Sequence, residues 1–221
     1  MSGIGERLKA IYADLPTHVG LVAVSKFHPA EDILEAYNAG QRIFGESRVQ
    51  ELVAKRPLLP DDIEWHFIGT LQTNKVKQIA PFITTIQSAD SLRLIEEINR
   101  QASINQRIIN ILIEVHIAKE QSKHGFGTDE CETLFKDGMF LRYSNLRVCG
   151  LMGMATFTDN EAQINHEFST ISKLFQTIRA SRYVDPTVFN QLSTGMSDDY
   201  HIAIAHGSTM VRIGTKIFGN R

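Results

Sequence analysis

The stretch LVAVSKFHP, residues 21–29, is an apolar run that ends on a single lysine, Lys26, and is stopped by Pro29. A run that is apolar on both faces suits a parallel strand covered by helices, and a proline cannot extend the ladder because it has no N–H to donate. Why such a strand ends in an ammonium group is answered by what surrounds it in the chain.

The same pattern recurs at RIFGES (42–47), EWHFIG (64–69), ITTIQS (83–88), IINILIEVHI (108–117), LRVCGLMGMA (146–155), VFNQLS (188–193) and MVRIGT (210–215). Helical stretches separate these runs, and an opening helix precedes them. Ile164, Phe168, Ile171, Leu174, Phe175 and Ile178 form one apolar stripe at steps of three and four, the signature of a helix packed on one face. EDILEAYNAG (31–40) predicts a helix that buries Ile33, Leu34 and Tyr37 and ends on Gly40. Eight βα units in 221 residues predict an α/β protein with a single (β/α)8 TIM barrel, a fold whose lower size limit is roughly 200 residues. An open, doubly wound sheet is the alternative. The whole of 1–221 is expected to form one domain, since no Gly/Ser linker or low-complexity tract interrupts it.

Composition narrows the function. With 23 basic and 25 acidic residues the formal charge is -2, so no overall field draws the protein to nucleic acid or to an anionic membrane. The amino-terminal MSGIGERLKAIYADLP (1–16) has no apolar core of signal-peptide length, and no segment reaches the roughly 18 apolar residues of a membrane span; a cytoplasmic location is expected. Cys131 and Cys149 are far apart and lack a CxxC partner, which argues against a disulfide framework or a zinc knuckle and for buried, unreactive thiols.

Barrels of this kind carry their chemistry at the carboxyl ends of the strands, with a recurrent phosphate site in the loops after strands seven and eight. Here those ends bear Lys26, GES with Ser47, GTLQTNK, KEQSKHGFG, MGMATF, STGMSDD and RIGT. Ser193, Thr194 and Gly195 lead into a helix that Ser197 or Asp198 would cap, while Gly214 allows close backbone approach and Thr215 adds a hydroxyl. Together the two loops suit a phosphate. A lysine at the same rim, partly desolvated and near other cations, would have a lowered pKa and keep the free amine that attack on a carbonyl needs. An imine-forming lysine facing a phosphate site implies a phosphorylated aldehyde. Pyridoxal 5′-phosphate (PLP) meets both demands, as would the sugar phosphate of a Schiff-base aldolase.

At this level of detail the chain resembles the pyridoxal phosphate homeostasis proteins, the alanine-racemase-like single-barrel PLP-binding proteins. The resemblance is carried by AVSK with Pro29 following, FGESRVQE (44–51), WHFIGTLQTNK (65–75), SKHGF (122–126), GLMGMA (150–155), LSTGMSDD (192–199) and VRIGTKIFG (211–219). It spans nearly the whole chain, with its motifs in order at the strand ends. It implies that Lys26 holds PLP as an internal aldimine and that Ser193, Gly195 and Met196, with Gly214 and Thr215, bind the phosphate. Arg212 matches the arginine facing the pyridine nitrogen, and Ser47, His66 and Met152 complete the implied cofactor-contacting set. The chain departs from the family pattern at Ser47, where asparagine is common, at His124, where serine is, and at Thr194, where methionine is. Ser47 is shorter than asparagine and is expected to reach the cofactor through water.

A racemase on this plan needs an acid/base group on each face of the substrate. Lys26 could serve one, yet no tyrosine falls in a rim motif: Tyr12, Tyr37, Tyr143 and Tyr183 lie in helical or linking stretches and Tyr200 within a helix. The resemblance likewise implies a protein that buffers or delivers PLP without robust catalysis. PLP-dependent apo-enzymes are the candidate recipients, and the carrier is expected to be a monomer. A weak racemase-like PLP enzyme is the alternative. A metal-dependent hydrolase is disfavoured: His201 and His206 are five apart, not the four that would place both imidazoles on one helix face, and no strand end carries His-x-His.

Overall fold

The computed structural model describes residues 3–119 and 124–219. Its eight strands are β1 (Gly20–Val24), β2 (Ile43–Glu46), β3 (Glu64–Phe67), β4 (Thr85–Ala89), β5 (Ile109–Glu114), β6 (Leu146–Met152), β7 (Gln191–Ser193) and β8 (Met210–Ile213). All pair in parallel, in chain order, and β8 closes on β1 through Gly20↔Met210 to Ala23↔Ile213. This is the closed (β/α)8 barrel expected from the rhythm of apolar runs.

The helices are α1 (Ile4–Asp14), α2 (Ala30–Asn38), α3 (Val49–Lys55), α4 (Thr73–Ile79), α5 (Leu92–Ile104), α6 (Thr128–Lys136), α7 (Glu161–Arg179), α8 (Tyr200–Ala205) and α9 (Thr215–Phe218). In α7 all six stripe residues are buried, each such side chain contributing roughly 1.5–3 kcal/mol by leaving water. In α2, Ile33 and Ala36 are buried and Gly40 follows the helix at φ 106°, as a C′ glycine should. Leu34, however, points to solvent: the contact face runs through the small Ala36 instead, because a helix pressed on the barrel buries positions three apart. Cys131 and Cys149 are buried free thiols, pushed up to about 12 and about 11 by burial. Among the described residues no helix is long and apolar enough to cross a membrane.

The barrel interior is polar toward its carboxyl end. Gln87 of β4 accepts from Ser193 Oγ of β7 at 2.7 Å, a bond between strands on opposite sides that has to cross the lumen. His66 of β3 joins the same chain through Nδ1, 2.8 Å from Gln87 Nε2. Arg212 of β8 ends it, donating through Nη1 to Ser193 Oγ at 2.7 Å and Ser193 O at 2.8 Å, and through Nη2 to Gly153 O at 3.1 Å. Above this plug the barrel mouth opens.

Candidate functional site

The mouth holds a cavity of about 600 Å³, within the range of small-molecule sites. Lys26, immediately beyond the buried Ser25 at the end of β1, is half-buried in its wall, and Ser47 follows β2 in the same way. From β8 come Arg212, Gly214 and Thr215; from the β7–α8 loop comes Met196. The cavity thus brings together six of the ten site residues expected from sequence: Lys26, Ser47, Met196, Arg212, Gly214 and Thr215.

The other four stand behind the wall. Ser193 is fully buried and is spoken for by Gln87 and Arg212. His66 lies in the plug beneath, held by packing and one hydrogen bond, and burial pushes its imidazole down to about 4. Met152 packs with Leu112 and Cys149. Gly195 shapes the loop: its φ is 91°, and a Cβ there would stand 2.7 Å from Ala203 Cβ and 2.8 Å from Tyr200 Cα. The β7–β8 ladder runs on past Ser193, with Thr194 N donating to Met210 O and Arg212 N to Gly195 O. Glycine therefore lets the chain turn from β7 into α8 just where Met196 enters the cavity. Of SKHGF, Ser122 and Lys123 lie outside the described residues; His124 is exposed, its Nδ1 3.7 Å from Asp90 Oδ2.

Several lining groups were not singled out from the sequence. Asp199, not Ser197 or Asp198, is the residue before α8, and its Oδ1 accepts from Met196 N at 2.6 Å. Burial pushes this carboxyl above its usual range, opposed by that bond and by the charge of Arg212. His28 lines the cavity two residues beyond Lys26, stacked on Phe218 with a centroid spacing of 4.8 Å and with Nδ1 3.2 Å from Asp32 Oδ2. Met154 and Phe157, on the loop after β6, form an exposed apolar lip. Thr156 of that loop is tied to Glu167 of α7, which accepts from its N at 2.7 Å and from its Oγ1 at 2.8 Å. The loops meet only in space, so their spacing in sequence carries no such signal.

Electrostatically the cavity floor is one buried cation. Arg212 is 4% exposed, and burial pushes its guanidinium down to about 10, against the charges of Asp199 and Glu114; it stays charged near neutrality. Its Nε makes no hydrogen bond among the described residues, so a donor remains beyond those fixed to Ser193 and Gly153. The same cavity takes the amine of Lys26, the hydroxyl of Thr215 and the first turn of α9, whose leading N–H groups have no intrahelical acceptor. Such a set can hold an anion and present an amine to a carbonyl.

The sequence profile of the alanine racemase N-terminal domain matches residues 3–221. The pyridoxal phosphate homeostasis protein of Haemophilus influenzae is 41% identical over 206 residues, covering 92% of this chain and 85% of that protein. That of Schizosaccharomyces pombe is 39% identical over 207 residues, with the same two shares. The chain belongs to the pyridoxal phosphate homeostasis protein family. Among solved structures, that of PipY from Synechococcus elongatus without PLP superposes with a TM-score of 0.90 at 35% identity, covering 98% of this chain and 100% of that one. The structure of PipY with PLP bound gives 0.84 at the same identity and shares. The alanine racemase of E. faecalis, at 13% identity and a TM-score of 0.73, shares the fold.

Proposed function

We propose that this chain is a PLP-binding homeostasis protein that holds the cofactor through Lys26 and buffers or delivers it without robust catalysis. The observation that carries the reading is the pairing, in one cavity of about 600 Å³, of the Lys26 amine with a buried arginine and the Met196 and Gly214–Thr215 loops. It is supported by kinship to a PipY structure that has PLP bound. The residues fit the group: Lys26 would form the covalent imine link, Thr215 and the α9 turn would take the phosphate, and Arg212 would stand at the pyridine nitrogen.

PLP, when bound, supplies an aldehyde and an electron-withdrawing ring. Arg212 limits that chemistry, because a guanidinium that stays charged cannot accept a proton and disfavours protonation of a ring nitrogen beside it. No tyrosine lines the cavity among the described residues, so the second acid/base group of a barrel racemase is not supplied by that residue type. The domain taken to perform this role is 1–221, acting as a monomer, with PLP-dependent apo-enzymes as recipients and the cytoplasm as the compartment.

The test is the visible absorption spectrum of the purified protein with added PLP, for the native chain and Lys26→Ala, before and after borohydride. A visible imine band in the native chain that borohydride abolishes, with label on the Lys26 peptide, is expected. A native protein that gains no band overturns the reading. A weak racemase-like activity is the second reading, favoured by His28, an imidazole oriented by Asp32 in the cavity wall. Chiral analysis of L-alanine incubated with the loaded protein distinguishes the two, since turnover abolished by His28→Gln would favour the enzyme.

A further inference from the structure

Behind Lys26, on the side away from the cavity, lies a buried ionic cluster that the binding site does not use. Lys55, at the end of α3, has a side chain 9% exposed, and that of Glu46, at the end of β2, is fully buried. The Lys55 ammonium makes three hydrogen bonds, to Glu46 Oε1 at 2.7 Å, to Glu51 Oε1 at 2.6 Å and to Ser25 O at 2.9 Å. Ser25 Oγ also donates to Glu46 Oε1, at 2.7 Å.

Ser25 is the residue before Lys26. Phe27 is the residue after it, and its N–H donates to the same Glu51 Oε1 that Lys55 holds. Phe27 has a φ of 68°, a left-handed conformation that a bulky residue keeps only where its surroundings impose it. Arg48 lies over the Phe27 ring at 4.5 Å. One ammonium thus grips the backbone on both sides of Lys26, directly at Ser25 O and through Glu51 at Phe27 N.

A buried ion pair kept for stability alone contributes little, because desolvation offsets most of the attraction. Nor does stability require its bonds to converge on the two neighbours of one residue. A lysine side chain, by contrast, has four rotatable bonds and reaches a carbonyl in productive geometry only if its root is fixed.

We propose that Lys55 is a positioning residue for Lys26: with Glu46 and Glu51 it clamps the Ser25–Phe27 backbone so that the Lys26 amine is held toward the cavity. The proposal rests on the reading of Lys26 as the cofactor-linking residue.

The test uses PLP-free, full-length protein treated with limiting PLP and cyanoborohydride, followed by peptide mass analysis. The amine adds to the aldehyde carbon with loss of one water, and the reductant then delivers hydride to that carbon while solvent protonates nitrogen. The readout is the rate of labelling at Lys26 relative to the exposed Lys9 in the same sample, which general loosening of the fold would not move selectively. Lys55→Met is expected to slow Lys26 labelling at least tenfold with Lys9 unchanged, and Lys55→Arg, which keeps the charge, to slow it less. Should Lys55→Met not fold, Glu51→Ala removes the Phe27 acceptor while leaving the Lys55–Glu46 pair, and the same loss is expected. A folded Lys55→Met or Glu51→Ala whose Lys26 rate stays within twofold of native overturns the proposal alone. Absence of Lys26-selective labelling in the native chain overturns the cofactor reading, and the proposal with it.

Discussion

Glu114 and His66 are both sealed inside the barrel and titrate away from their ordinary values in opposite senses. Burial, reinforced by the nearby Asp90 and opposed by Arg212 and His124, pushes Glu114 up from 4.5 to about 7. Burial alone pushes His66 down from 6.5 to about 4. Between pH 4.5 and 7 the folded chain binds a proton at Glu114 that the unfolded chain has lost, so this residue makes stability fall as pH rises. Between pH 6.5 and 4 the unfolded chain binds a proton at His66 that the folded chain refuses, so stability falls as pH drops. The two slopes largely cancel in the native protein. Glu114→Gln should be more stable than native by about 3 kcal/mol at pH 8 and by under about 1 kcal/mol at pH 5, which urea denaturation at the two pH values will measure. Equal differences at both would show that Glu114 does not titrate this way. At this scale the cavity residues legible in the sequence were those at strand ends within extended motifs, Lys26, Arg212 and Thr215 among them. Ser193 was legible as near the site, but its place behind the wall depends on Gln87, a partner 106 residues away.

Between residues 146 and 152 the β6 strand is not regular. Its pairing with β5 steps from Ile111↔Val148 to Leu112↔Gly150, so Cys149 is an extra residue and the strand is bulged. A Cβ on Gly150 would stand 1.7 Å from Gln191 O, closer than any packing adjustment can relieve. Gly150→Ala should therefore cost more than about 3 kcal/mol by forcing β6 and β7 apart, read as a lowered denaturation midpoint. It should also weaken PLP binding, because Gly153 O and Ser193 O, both acceptors of Arg212, lie on the displaced segments. Neither the bulge nor the cap of α8 was legible. Glycine in GLMGMA reads only as a break in side-chain packing, and the choice of Asp199 over Ser197 or Asp198 follows from where Gly195 lets the chain turn. The strands themselves were legible because parallel strands buried on both faces need unbroken apolar runs.

For the molecule as a whole, the cavity draws on the ends of β1, β2, β3, β6, β7 and β8, so a bound ligand links both sides of the barrel closure. At a PLP concentration a hundred times the Kd, binding should stabilise the native chain by about 2.7 kcal/mol, a rise in Tm of about 5–10 °C for a domain of this size. If Lys26 holds the cofactor as proposed, Lys26→Ala should show a smaller rise, since it keeps Arg212 and Thr215 but removes the proposed covalent link. Thermal scans with and without PLP check both; an equal rise in the two proteins would mean that Lys26 adds nothing to binding.

The sequence by itself determined the eight βα units and the strand ends at which polar groups gather, while closure of the sheet was decided by the pairing of β8 with β1. The units and their ends follow from local properties: period, apolar runs and the turn residues between them. Only the tertiary structure decided which rim residues share the cavity, that His28 and Asp199 line it, and that Lys55 stands behind Lys26. Those relations are set by strand stagger and loop conformation, which bring together groups from distant parts of the chain.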